Sequence, residues 1–198
     1  EKLDAEVLAL EQQGCRLQVG ENYLEGLEAD LVFRTPGMHP DIPALRQLRE
    51  AGAQVTSEME VFFGVCPCKL IAVTGSDGKT TTTTLIAELL KAAGKTVWLG
   101  GNIGTPLLPV CDRMQQTDFA VVELSSFQLM DMRRSANVAV VTNLAPNHLD
   151  VHIDMEEYVA SKENIFLHQW ASDSVILNYD NALTRAEAET GLFLQKQG

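Results

Sequence analysis

The stretch that most constrains this chain is AVTGSDGKTTTTT at residues 72–84, where an apolar run at 70–73 breaks into a glycine-bracketed loop and hydroxyl residues open a helix. A turn of this kind between strand and helix lets main-chain N–H groups approach phosphate oxygens, and the helix start adds its positive dipole end. Gly75 and Gly78 bracket the turn, Ser76 and Asp77 fill it, Lys79 supplies a point charge, and Thr80 or Thr81 offers a hydroxyl for Mg²⁺. The form is TGxxGKTT rather than GxxxxGK[ST], because Val73 stands where that pattern needs a glycine. A glycine turn followed by an ordinary surface lysine reads the same locally. The strand signal before it and the helix signal after it favour a nucleotide-triphosphate loop.

Such a loop belongs in an α/β protein, and the rest of the chain agrees. Strand and helix patterns alternate, which predicts mainly parallel strands. Residues 5–13 read as helix, 16–19 and 31–34 as strands, 42–51 as helix and 54–57 as strand, making a small α/β unit. GVCPCK at 64–69 carries a glycine, a proline and no helical period, so it is the expected hinge. Beyond it, strands are predicted at 70–73, 96–99, 119–123, 138–142 and 175–178, with helices at 80–93 and 156–168. The expected division is 1–65 and 66–198, and both ends read as cut from something longer.

Composition excludes more than it identifies. Fifteen basic against 27 acidic residues give a net charge of −12, which argues against a general nucleic-acid binder; phosphate binding has to be local. No apolar run is long enough to cross a bilayer and no signal-like start is present, so a cytoplasmic protein without membrane attachment is expected. Cys15, Cys66, Cys68 and Cys111 lack zinc-site spacing and read as buried or free thiols.

In open α/β sheets ligands bind beyond the carboxyl ends of the strands, and the informative polar residues fall there. Asn102 follows one strand. Glu123 ends another, well placed for Mg²⁺, and opens ELSSFQL. Ser125, Ser126 and Gln128 either hydrogen-bond a polar substrate or cap the next helix. In NLAPNHLDVH at 143–152, His148 sits where an imidazole can meet a metal or phosphate, Asp150 adds a carboxylate, and His152 reads as a surface residue. Lys162 lies on the predicted helix 156–168, where a solvated lysine is the ordinary expectation.

Together TGSDGKTT, GGNIG at 100–104, ELSSFQL at 123–129, and NHLD followed by YVASKENIF at 158–166 resemble the Mur ligases over nearly the whole chain. Ser76 and Asp77 depart from the recurrent GTNGKT or GTNGKS loop, which puts an additional carboxylate near phosphate. The resemblance implies a partial Rossmann-like amino-terminal domain for a uridine nucleotide at 1–65 and an incomplete P-loop ATPase domain with a mainly parallel sheet at 66–198. The resemblance also implies a carboxyl-terminal amino-acid domain, which is expected to lie outside the sequence at 1–198. RTPGM at 34–38 resembles the family's SPG segment, which implies nucleotide-substrate contacts for Thr35, Pro36 and Gly37.

Carried over residue by residue, the ATP loop is Gly75, Ser76, Asp77, Gly78, Lys79, Thr80 and Thr81, with Lys79 on the β and γ phosphates. Thr80 and Glu123 would hold one Mg²⁺; His148 and a carbamylated Lys162 would hold a second. Asn102, Ser125, Gln128 and His148 would contact the substrate, and Lys79, Glu123, His148 and Lys162 form the implied catalytic set. The implied reaction is ATP-dependent addition of D-glutamate to UDP-N-acetylmuramoyl-L-alanine through an acyl phosphate, by a monomer. A family member adding another amino acid, or a nucleotide-gated binding module, are the alternatives.

Overall fold

The computed structural model describes residues 5–146 and 152–190. Its centre is a five-stranded, wholly parallel sheet in the order β4-β5-β3-β6-β7. The strands are β3 (Lys69–Thr74), β4 (Val97–Gly101), β5 (Phe119–Glu123), β6 (Val138–Val141) and β7 (Ser174–Leu177). The run LIAVT of β3 is buried on both faces, as the middle strand of a parallel sheet must be. Its side chains alternate. Ile71 and Val121 pack beneath Ala87 of α4 (Lys79–Ala92), whereas Leu70, Ala72, Ala120 and Val122 face the opposite layer.

That opposite layer contains α3 (Glu58–Val65), a 3₁₀ segment (Leu108–Arg113), α5 (Ser126–Leu129) and α6 (Met155–Leu167). Met59, Phe62, Phe63, Leu129, Ile165 and Phe166 join the sheet in one buried cluster. A second, smaller core of Leu45, Leu48 and Ala53 holds α2 (Pro43–Glu50) on a parallel pair, β1 (Leu31–Phe33) and β2 (Gln54–Thr56). Helices α1 (Ala5–Gln12) and α7 (Ala182–Thr190) complete the elements.

Two sequence expectations need correction. Residues 16–19 form no strand: the segment is irregular and Val19 is exposed, because two apolar residues in alternation have no neighbouring strand to pair with. The expected hinge at 64–69 begins too early, since Gly64 and Val65 are the last residues of α3. The Ser57 hydroxyl accepts the Glu60 N–H to start that helix, and Met59, Phe62 and Phe63 at helical spacing hold it on the sheet. Irregular chain starts at Cys66, just before Pro67.

All four cysteines are unpaired thiols, with the Cys66 and Cys68 sulfurs 3.5 Å apart. Among the described residues no helix is long and apolar enough to cross a membrane, and no group of three or more His, Cys, Asp or Glu side chains could hold a metal ion.

Candidate functional site

Parallel register sets the site. Val73, Glu123 and Gly101 lie in one row across three adjacent strands, at the carboxyl ends where the loops open. Glu123 is 2% exposed, and both of its oxygens are engaged. Thr80 Oγ1 donates to Oε2 at 2.7 Å, and Asn102 Nδ2 donates to Oε1 at 2.9 Å. Gly101 permits this approach: at φ +93 a Cβ would stand 2.1 Å from the Glu123 carbonyl oxygen, and the following N–H, of Asn102, donates to that same carbonyl. Two residues named from separate sequence segments, Thr80 and Asn102, thus converge on the Glu123 carboxylate.

The glycine loop is equally confined. Gly75 has φ +148, and a Cβ there would meet Thr142 Oγ1 at 1.9 Å. Lys79 Nζ turns back onto the loop, donating to the carbonyls of Gly75 at 3.0 Å and Ser76 at 2.9 Å. Lys162, on α6, reaches the same place and is 3% exposed, so the solvated reading of this residue is overturned. Its Nζ donates to the Gly75 carbonyl at 3.0 Å and to Thr74 Oγ1 at 3.2 Å, and lies 4.8 Å from the centre of the Tyr158 ring. Burial, and secondarily the Lys79 charge, push its pKa down to about 7. Thr80 and Thr81 are exposed residues in the first turn of α4, as is Asp77 before it, although the Thr80 hydroxyl turns inward to Glu123.

Ser76 faces away from that opening. Its hydroxyl accepts from Ala145 N at 2.8 Å, lies 2.9 Å from the Ala145 carbonyl and shares a 2.9 Å hydrogen bond with the Tyr158 hydroxyl. The N–H groups of Ser76 and Asp77 donate to the main chain and side chain of Asn143. The loop is therefore latched to the segment after β6, and Asn143 and Tyr158 are functional candidates that the sequence reading missed. Tyr158 was legible as the first residue of YVASKENIF, one helical turn before Lys162.

Ser125 and Gln128 form a reciprocal capping box at the start of α5, the helix-capping alternative for these residues. His152 is buried rather than on the surface. Its ring stacks on Phe127 with centroids 5.4 Å apart, meets Tyr158 edge-on and hydrogen-bonds Ser126 Oγ at 2.9 Å. Thr35, Pro36 and Gly37 are exposed on the loop after β1. His148 and Asp150 lie outside the described residues.

Comparison with known proteins fits this geometry. A family model described as the Mur ligase middle domain matches residues 73–192. The UDP-N-acetylmuramoylalanine--D-glutamate ligase of Acetivibrio thermocellus is 55% identical over 185 residues, covering 93% of this chain and 40% of the relative. The protein of the same name from Clostridium novyi is 51% identical over 187 residues, covering 94% and 41%. The chain thus spans about two fifths of the length of these curated relatives. Among solved structures, a UDP-N-acetylmuramate:L-alanyl-gamma-D-glutamyl-meso-diaminopimelate ligase from Neisseria meningitides superposes with a TM-score of 0.61 at 16% identity, over 100% of this chain and 67% of that one, which supports the fold.

Proposed function

The chain belongs to the Mur ligase family, and from that membership we propose that it forms the ATP-binding part of an enzyme joining D-glutamate to UDP-N-acetylmuramoyl-L-alanine. Residues 1–65 are the uridine-nucleotide side and 66–198 the ATPase side of a monomeric cytoplasmic ligase. The observation that carries the reading is the meeting of Thr80, Asn102 and Glu123 beside a glycine loop that Lys79 and Lys162 both touch.

In this reading the substrate carboxylate attacks the γ-phosphate of ATP, giving an acyl phosphate and ADP, and the amine of D-glutamate then displaces phosphate. No side-chain nucleophile is needed; positioning and charge neutralisation supply the rate. Lys79 swings from its two loop carbonyls to the β and γ phosphates. The N–H groups of Lys79, Thr80 and Thr81, which have no partner within α4, face the phosphates. Because Asn143 already engages the Ser76 and Asp77 N–H groups, those two hold the loop's shape rather than the nucleotide.

The Thr80 hydroxyl and Glu123 carboxylate are hard oxygen donors that suit Mg²⁺, which would neutralise charge on the transferring phosphoryl group. A second ion would fall to His148 and Lys162. An ammonium cannot ligate a cation, but an amine with a pKa near 7 is largely unprotonated at slightly alkaline pH and can add CO₂, releasing a proton to become an anionic carbamate. Asn102, Ser125 and Gln128, with the Thr35–Pro36–Gly37 turn, contact the muramoyl nucleotide.

Phosphate release by the intact enzyme tests the reading. Release that requires both UDP-N-acetylmuramoyl-L-alanine and D-glutamate is expected. Release supported by another amino acid would keep the family and change the member, whereas ATP binding without any acceptor-dependent release would leave a nucleotide-gated module.

A further inference from the structure

The loop after β1 is fastened at both ends to the helices that carry the rest of the site. At one end the Arg34 guanidinium is fully buried. Its Nη1 donates to the carbonyls of Thr35 at 3.1 Å, Pro36 at 3.3 Å and Met38 at 2.6 Å, so the turn closes around it. Its Nη2 donates to the Phe127 carbonyl on α5 at 3.3 Å and pairs with Asp131, to which Nε also donates. At the other end His39 Nε2 lies 3.3 Å from Glu157 Oε1 on α6. The second Glu157 oxygen accepts the Ile153 N–H at 2.8 Å and lies 3.4 Å from His152 Nδ1. His152 then returns to α5 through Ser126.

We infer that Arg34, held by Asp131, and Glu157, reached through His39, are positioning residues for the nucleotide substrate, setting the 35–38 turn against α5 and α6. The inference rests on the proposed function. Burying a guanidinium is expensive, and an apolar contact would hold two units together at lower cost. What a guanidinium adds is geometry: rigid donors aimed at several carbonyls and a carboxylate fix a turn in one orientation. Thr35, Pro36 and Gly37 are exposed on that turn, whose inner carbonyls Arg34 holds, and the Met38 N–H donates to the Thr35 carbonyl at 3.1 Å. Its two anchors are the helix bearing Gln128 and the helix bearing Lys162. A small rotation of the turn would therefore misplace the nucleotide's diphosphate relative to the phosphoryl-transfer residues while leaving the ATP loop intact.

The test is steady-state kinetics on the intact enzyme, with KM measured separately for the uridine nucleotide and for ATP, alongside thermal melting. Arg34→Lys and Asp131→Asn are expected to raise the KM for the uridine nucleotide about tenfold or more while the KM for ATP stays within about twofold. Glu157→Ala should do the same, and Glu157→Gln, which keeps a polar group between the two imidazoles, should recover most of the loss. Folded variants with unchanged nucleotide KM, or with both KM values rising together, would overturn the assignment. If Arg34→Lys does not fold, Asp131→Asn and the Glu157 pair decide. Wild-type enzyme that turns over ATP without needing the uridine nucleotide would overturn the functional reading itself, which the variants alone cannot do.

Discussion

A lysine buried as deeply as Lys162 faces two forces of the same sign, desolvation and the nearby Lys79 ammonium, and both favour its neutral form. The stability consequence follows from proton counting. Below pH 7 both folded and unfolded chains hold the proton, and the cost of burying the charge is fully present. Between about 7 and the ordinary value of 10.5 the unfolded chain still binds the proton and the native chain does not, so stability rises with pH. We expect the stability difference between wild type and Lys162→Met, from denaturant unfolding of this chain, to shift in favour of wild type from pH 7 to pH 9. The slope should reach at most about 1.4 kcal/mol per pH unit; a difference flat over that range would contradict the depressed pKa. At this scale much of the candidate site's grouping was legible. Thr80, Asn102 and Lys79 follow strand ends and Glu123 closes one, where parallel topology gathers polar residues. His152 was not, because neither a histidine's burial nor its aromatic partners leave a mark on local sequence pattern.

Single elements are held in register by polar latches more than by propensity. The glycine loop and the chain after β6 meet at the Ser76 hydroxyl, which serves Ala145 and the buried Tyr158 hydroxyl at once. Ser76→Ala removes the acceptor for the Ala145 N–H and one partner of a buried phenol, so a loss of about 2 kcal/mol is expected. A double-mutant cycle with Tyr158→Phe separates this latch from simple packing: coupling of at least about 0.5 kcal/mol is expected, and additivity within about 0.3 kcal/mol would remove it. Elements whose pattern matches their burial were legible from sequence, β3 and α4 above all. The two that were misread fail for opposite reasons. Residues 16–19 have a strand's alternation and no sheet to join, whereas α3 has a cap and an apolar face but ends in a Gly-Val-Cys-Pro run that reads as a linker. Strand pairing is a long-range fact, and a glycine near a helix end weakens the local signal without ending the helix.

Over the whole molecule the largest core and the small one on β1 and β2 differ greatly in depth. The large one buries Phe62, Ala72, Ala120, Val122 and Ile165 completely, whereas the small one has Leu45, Leu48 and Ala53, and its strand β1 leaves Leu31 and Phe33 about half exposed. Opening the small unit therefore exposes less apolar surface and should cost less free energy than opening the sheet. Helix α3 is the informative element, because it follows β2 in sequence but packs Met59, Phe62 and Phe63 into the large core. Native-state hydrogen exchange on this chain can read the division directly. Amides of β1 and β2 are expected to exchange at least about a hundredfold faster than those of β3 and β5, a gap of about 2.7 kcal/mol in opening free energy. Amides of α3 should fall in the slow class, putting the energetic boundary between Thr56 and Met59, ahead of the irregular chain at Cys66. Exchange of α3 together with β2 would instead move the boundary to the end of that helix, where the sequence pattern alone sets it.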